Sequence, residues 1–150
     1  MTTPRIIPGL SAVAADYDVL LCDVWGVIHN GRESFPEACA ALAHFVAQGG
    51  EVVLVSNAPR PAVDVRPQLD ALGVPRAAWT GFVTSGDATR AELIRRSPGP
   101  AWRLGPERDA PLYAGLDLRL TEGPQGAAFI SCTGLIDDEI ETPEDYRDAL

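Results

Sequence analysis

The chain alternates short apolar runs with longer amphipathic segments, and this alternation constrains its fold more than any other feature. The runs at 18–25, 51–59 and 81–86 are short and rich in branched residues, as buried strands are. The segments that follow them carry helix-start and helix-stop residues such as Pro36 and Gly49. Strands that alternate with helices form a largely parallel sheet, so the sequence predicts an α/β fold.

The remaining elements follow from similar local signals. The run at 51–59 is nearly continuous in apolar residues, which predicts a strand that is buried on both faces. Three more strands are expected between residues 101 and 134. A last helix is expected to begin after Thr142, since Pro143 suits a first helical position and Asp145 completes a capping box.

Polar side chains stand at the ends of the first two predicted strands. Asp23 ends the first, and Ser56 ends the second. Neighbouring parallel strands lie ~4.8 Å apart, and ligands bind beyond the carboxyl ends of such strands. A carboxylate there can attack phosphorus or bind Mg²⁺, and a hydroxyl with backbone N–H groups can hold phosphate oxygens. Gly26, Asn57 and Gly86, just beyond the strands, are expected to let the backbone approach a ligand closely.

Each of these residues also has a purely structural interpretation. Asp is a favoured turn residue, and Asp23 can end its strand by bonding its own backbone. Ser56 and Asn57 can form a plain turn and cap before the next helix. Residue types and spacing alone leave both interpretations open.

Several motifs together resemble the haloacid dehalogenase superfamily. "DVWGVIHNG" from Asp23 resembles its first motif, whose common form is Asp-x-Asp-Gly-(Val/Thr)-(Leu/Ile), and "VLVSNAPR" resembles its second. The Ser-Asn pair followed by Arg, the segments "LDALGV" and "FVTSGDAT", and "GLIDDEIETPEDYRDAL" are similar to the subfamily IIA, NagD-like, phosphatases. The resemblance runs through nearly the whole chain from about residue 8.

This resemblance implies a mechanism. Asp23 would be the nucleophile that forms an aspartyl-phosphate, and it would also bind Mg²⁺. The backbone carbonyl of Trp25 would be a second Mg²⁺ ligand. Ser56 would hold the phosphoryl group of a small phosphorylated substrate, together with Asn57 and loop amides around Gly26.

The resemblance also implies a domain organisation. Residues 1–85 would form the amino-terminal part of a HAD-like, Rossmann-like core with a parallel sheet. Residues 86–150 would begin a C2-type α/β cap domain. The family's third motif, a lysine, and its fourth, acidic Mg²⁺ ligands, would follow the cap, and the chain contains no lysine. The sequence therefore resembles the amino-terminal part of a longer protein.

Trp25 departs from the family pattern, because it stands where the second aspartate, the general acid/base, is expected. Tryptophan cannot donate a usable proton, and the loss of a positioned acid/base typically costs ~10²–10⁴-fold in rate. The chain resembles a branch of subfamily IIA with tryptophan at this position. The hydrolase interpretation therefore stands beside an alternative, a non-catalytic phosphoryl-ligand binder or assembly module with a degenerate site.

Composition restricts the partners. A net charge of −9 disfavours nucleic acid and anionic membranes. The three cysteines are widely spaced, show no metal-ligand pattern and suggest a reducing compartment. No apolar stretch is long enough to cross a bilayer. We therefore expect a cytoplasmic protein, and the sequence leaves open whether it forms a homo-oligomer. No Gly-x-Gly-x-x-Gly turn follows the first strand, which excludes a dinucleotide-binding Rossmann site.

Weaker candidates remain, namely His29, His44, Arg60, the acidic run 137–139, Trp79 and Trp102. His29 could approach a leaving group, but an ordinary loop residue is the simpler interpretation. His44 and the acidic run are most simply solvated, and Arg60 suits a phosphate contact and a surface position equally well. The two tryptophans are most simply core or interface anchors.

Overall fold

A computed structural model describes residues 6–137 and 139–149. The strands are β1 (Val19–Asp23), β2 (Glu51–Ser56), β3 (Gly81–Thr84), β4 (Ala101–Leu104), β5 (Leu120–Thr121) and β6 (Phe129–Cys132). The α-helices are α1 (Pro36–Ala47), α2 (Ala62–Ala71) and α3 (Ser85–Arg96). Short 3-10 helices lie at Leu10–Ala12, Ala14–Asp16, Arg76–Ala78, Glu107–Tyr113 and Pro143–Tyr146.

The strands form two sheets, with strand orders β1-β2-β3 and β5-β4-β6. β1 pairs with β2 in parallel, and β4 pairs in parallel with both of its neighbours. The predicted α/β fold with parallel sheets is thereby confirmed. By its internal contacts the chain divides into two compact units, one of residues 1–56 and 65–83 and the other of residues 57–64 and 84–150.

Helix α1 forms the main helical layer of the first unit. Pro36 occupies its first turn, as predicted, and Cys39, Leu42 and Phe45 form its buried face. The helix ends before Gly49, whose positive φ of 94° favours glycine. Gly50 lies against the Phe45 ring, since a Cβ there would come 2.2 Å from Phe45 Cε1. The turn into β2 therefore requires a residue without a side chain.

The two faces of the first sheet differ in burial. Val52 and Leu54 on β2 are fully buried, and α1 contacts this strand. On the other face, Val19, Leu21 and Val55 are exposed. The prediction that β2 is buried on both faces is therefore met on one face only, because the described residues leave the second face uncovered.

The second unit has its own small core, in which Leu93 of α3 packs with Leu112 and Tyr113. The Tyr113 hydroxyl lies 2.9 Å from the Ser131 hydroxyl of β6. The Arg90 guanidinium donates to the carbonyl oxygen of Leu112 at 2.8 Å and to that of Ala114 at 2.6 Å. These bonds fix the end of the 3-10 helix against α3.

Some boundaries differ from the prediction. The run at 81–86 ends as a strand at Thr84, because Thr84 and Asp87 form a capping box that starts α3 at Ser85. The capping box of Thr142 and Asp145 is present as predicted, but it starts a four-residue 3-10 helix rather than a longer one. The early 3-10 helices around Leu10 and Ala14 were not predicted.

Candidate functional site

The carboxyl edge of the first sheet carries two of the predicted site residues. Asp23 is the last residue of β1 and lies in register with Val55 of β2. Ser56, the last residue of β2, therefore lies one residue further along the neighbouring parallel strand. The expected placement of Asp23 and Ser56 at one edge of adjacent parallel strands is observed.

The Asp23 carboxylate is exposed and oriented by the backbone. Its Oδ1 atom accepts a hydrogen bond from the Val24 N–H at 2.7 Å. A local bond of this kind is what we expect if Asp23 is a turn residue that ends its strand. Among the described residues, no hydrogen bond reaches Oδ2. The turn bond therefore fixes the carboxylate without using both of its oxygens.

The loop that follows Asp23 folds back on itself. The Val24 carbonyl accepts from the N–H of Ile28 at 3.0 Å, and Gly26 N–H donates to the His29 carbonyl at 2.7 Å. Gly26 has a φ of +79°, a conformation that favours glycine. The Trp25 side chain is 68% exposed. The loop thus places an indole in solvent where the family pattern has a carboxylate.

His29 is the residue of this loop that differs most from expectation. It is only 4% exposed, whereas the simpler expectation was an ordinary loop residue. Its Nδ1 accepts a hydrogen bond from the Gly31 N–H at 2.9 Å. Burial lowers the pKa of His29 below its ordinary value, so the ring is neutral at pH 7 and Nδ1 keeps its lone pair. The burial of His29 could not be predicted from the sequence, because nothing in the neighbouring loop residues indicates it.

The loop after β2 is held by the start of α3. Thr84 Oγ1 donates to the Arg60 carbonyl at 2.8 Å, and Asp87 Oδ1 accepts from the Ala62 N–H at 3.1 Å. Asn57, which directly follows Ser56, is exposed, and Arg60 is partly buried. Sequence reasoning missed Thr84 and Asp87, although the Thr-x-x-Asp spacing is a capping-box signal.

Gly86 has a different role from the one expected. It was predicted to let the backbone approach a ligand, but it is buried in the first turn of α3. Its N–H donates to the Ala58 carbonyl at 3.0 Å. A Cβ at Gly86 would lie 2.3 Å from the Arg60 carbonyl carbon. The glycine therefore admits the loop backbone, and a ligand is not needed to explain it.

Asp23 and Trp25 supply oxygen donors of the kind that Mg²⁺ prefers, a carboxylate and a backbone carbonyl. Within residues 6–137 and 139–149, no group of three or more His, Cys, Asp or Glu side chains is placed to hold a metal ion. These two donors fit Mg²⁺ as part of a coordination shell that needs further ligands or water.

The weaker candidates lie elsewhere. His44 is exposed and lines a groove of about 870 Å³ between the early 3-10 helices and α1, a groove that includes neither Asp23 nor Ser56.

In the acidic run, Asp137 Oδ1 accepts from the Glu139 N–H at 3.1 Å, whereas Asp138 lies outside the described residues. Trp79 is buried beneath the Arg76 guanidinium, whose Cζ lies 3.4 Å from the ring centroid. Trp102 is partly buried.

Residues 20–119, more than half of the chain, match the family of haloacid dehalogenase-like hydrolases. The chain belongs to this family. None of the curated proteins searched matches it significantly. The family, the parallel sheet and the position of Asp23 at the end of β1 agree with the motif resemblance of the sequence.

Solved structures extend this family assignment. A haloacid dehalogenase-like hydrolase from Brucella suis 1330 superposes with a TM-score of 0.86 at 46% identity, covering 95% of this chain and 52% of its own. A glycerol phosphate phosphatase from Mycobacterium tuberculosis, in complex with calcium, shares the fold with a TM-score of 0.58 at 23% identity, covering 91% of this chain and 40% of its own. Its magnesium complex gives 0.54 at 26% identity, covering 76% and 35%. This haloacid dehalogenase-like chain thus spans about half the length of the Brucella protein.

No helix among the described residues of this haloacid dehalogenase-like chain combines the length and the apolarity that crossing a membrane requires.

Proposed function

We propose that this chain carries the nucleophile and part of the metal site of a Mg²⁺-dependent phosphate-ester hydrolase of subfamily IIA. One observation carries the proposal: Asp23 and Ser56 end adjacent parallel strands at one sheet edge, in a chain of a hydrolase family. A magnesium complex of a phosphatase is among the similar structures, which supports the metal and the substrate class. Residues 1–85 would form the core part and 86–150 the start of the cap.

Asp23 would act in two steps. One carboxylate oxygen attacks phosphorus, the P–O bond to the leaving group breaks, and an aspartyl-phosphate forms. Water then attacks that phosphorus and releases phosphate, which restores the carboxylate. The Val24 N–H holds Oδ1 at 2.7 Å, so the carboxylate enters the reaction already oriented. Ser56, Asn57 and the amides near Gly26 would hold the phosphate oxygens.

Asp23 and the Trp25 carbonyl would hold Mg²⁺. When bound, the ion would offset the negative charge of the phosphoryl oxygens. With two protein donors, we expect weak binding to the 150-residue chain.

The experiment is to trap a beryllofluoride adduct in the presence of Mg²⁺ and to detect it by ¹⁹F NMR. We expect the adduct in the wild-type chain and none in Asp23→Asn, because the substitution removes the nucleophile. Asp18→Asn is a matched control, since Asp18 lies just before the opposite end of β1. An adduct that persists in Asp23→Asn would refute the mechanism.

The alternative function, a phosphoryl-ligand binder or assembly module without catalysis, has one specific observation in its favour. Trp25 is 68% exposed where a proton donor is expected, and an indole cannot protonate a leaving group. A binder would take up phosphate without forming the Asp23 adduct.

Substitution of Trp25 tests which of the two functions holds in the intact protein. An aryl ester such as p-nitrophenyl phosphate needs little protonation of its leaving group, whereas an alkyl phosphate needs much. We expect Trp25→Asp to raise alkyl-phosphate turnover by ~10-fold or more and aryl-phosphate turnover much less, because a positioned acid is worth ~10²–10⁴-fold. Trp25→Phe is the control without an acid. Equal gains on both esters in steady-state kinetics would mean that the acid comes from elsewhere.

A further inference from the structure

We infer that His29 is a positioning residue that sets the direction of the Trp25 carbonyl at the carboxyl end of β1. The inference rests on the proposed function in one respect, that this carbonyl binds Mg²⁺. The geometry of the loop itself is independent of the metal.

The first step of the argument concerns one peptide group. The Trp25 carbonyl and the Gly26 N–H belong to the same peptide bond, which is planar and trans. In such a group the C=O and N–H directions are opposed. Gly26 N–H donates to the His29 carbonyl at 2.7 Å. The His29 carbonyl therefore fixes the plane of this peptide and points the Trp25 oxygen away from His29.

The second step concerns the His29 ring. Nδ1 accepts from the Gly31 N–H at 2.9 Å, which closes a two-residue turn. Gly31 has a φ of +86°, and a Cβ there would lie 3.6 Å from the Trp25 indole nitrogen. The His29 ring thus holds Gly31, and the Trp25 indole nitrogen lies beside Gly31. The His29 carbonyl therefore holds the Trp25–Gly26 peptide, and the turn that the ring closes lies beside the exposed Trp25 side chain.

The third step is burial. His29 is 4% exposed, and the neighbouring Ile28 is fully buried. The Ile28 carbonyl accepts from the Phe35 N–H at 2.8 Å, which ties the loop to the start of α1. Burial and the bonded Nδ1 together hold the ring in this orientation, and the ring in turn holds the Gly31 N–H.

The positioning role of His29 makes one chemical demand, which two substitutions can test. A positioning residue needs Nδ1 as an acceptor, and asparagine keeps that acceptor because its amide oxygen is also one bond from Cγ. Glutamine places its oxygen one carbon further out, near the position of Nε2. His29→Asn should therefore preserve the loop, whereas His29→Gln should lose it.

The experiment uses ¹⁵N-labelled chain without metal, then with Mg²⁺. In the wild type, His29 should be neutral with its proton on Nε2. Hydrogen exchange of the Gly31 amide in His29→Asn should match the wild type, and in His29→Gln it should be roughly fivefold faster, the factor that one net hydrogen bond corresponds to. Mg²⁺ affinity, followed by the Gly26 amide, should fall by about the same factor in His29→Gln alone. Thermal unfolding checks that both variants are folded.

Three results would overturn the positioning role: an Nδ1–H tautomer in the wild type, faster Gly31 exchange in both variants, or wild-type exchange in His29→Gln. If the wild-type Gly26 amide does not respond to Mg²⁺, the proposed metal is refuted, while the metal-free exchange data still decide the role of His29. Even if neither variant folds, an Nδ1–H tautomer in the wild type would overturn the role of His29.

Discussion

The two faces of the β1-β2-β3 sheet are built from the same kinds of residue but lie in opposite environments. Leu54 of β2 is 0% exposed, whereas Leu21 of β1 is 75% exposed. Both are leucines within paired parallel strands, and their register partners are Cys22 and Val53. Strand alternation alone separates the faces, because successive side chains point to opposite sides of a sheet.

The difference in burial shows which face of the sheet the described residues cover. One face packs with α1 and forms the core, and the other is an apolar surface that includes Val19, Val55 and Val83. Parallel sheets usually have both faces covered, and contiguous exposed apolar patches mark interaction surfaces. Because side chains alternate along β1, Asp23 lies on the same exposed face as Leu21, two residues further along the strand. The core face fixes the strands, and the exposed face ends in the proposed nucleophile.

The largest expected effect separates the faces directly. Leu54→Ala should lower the free energy of unfolding by about 2–5 kcal/mol, because it opens a cavity in the core. Leu21→Ala is the matched control, and it should change stability by less than ~0.5 kcal/mol, as surface substitutions do. Urea unfolding of both variants measures the difference. Equal losses would mean that Leu21 is covered in solution.

A smaller effect concerns how the free energy of unfolding depends on pH through His29, in the loop that follows β1. Burial lowers the pKa of His29, so the folded state favours the neutral ring, while the unfolded chain takes up a proton below about pH 6.5. The contribution to stability is therefore complete above pH 6.5 and is lost as the pH falls toward the lowered pKa. Unfolding measured between pH 7 and 5.5 should show this loss.

His29→Asn should remove that part of the pH dependence, because asparagine does not titrate. His44→Asn provides the comparison, since His44 is an exposed histidine of α1. A slope of stability against pH that survives in His29→Asn would assign the dependence to another group.

The same contrast explains what the sequence could predict. The pairing of β1 with β2 and the placement of Asp23 and Ser56 at its end follow from local apolar runs and their order along the chain, and the structure has both as expected. The capping box of Thr142 follows from its Thr-x-x-Asp spacing, and Thr84 carries the same signal at the start of α3. The burial of His29 depends on how its loop folds back, and the exposure of Leu21 depends on which faces are covered. Neither is encoded in a window of neighbouring residues.

The smallest expected effect concerns the exposed face alone. The double substitution Leu21→Ser and Val55→Thr replaces two exposed side chains of adjacent strands. We expect the stability to change by less than ~0.5 kcal/mol, while binding of the dye ANS and self-association at high concentration decrease, because the apolar patch is smaller. Urea unfolding, dye fluorescence and sedimentation measure the three quantities. A loss of more than ~1 kcal/mol that grows with protein concentration would show that a second copy covers this face, since association stabilises by mass action. The contrast between the two faces would then hold only for the isolated chain.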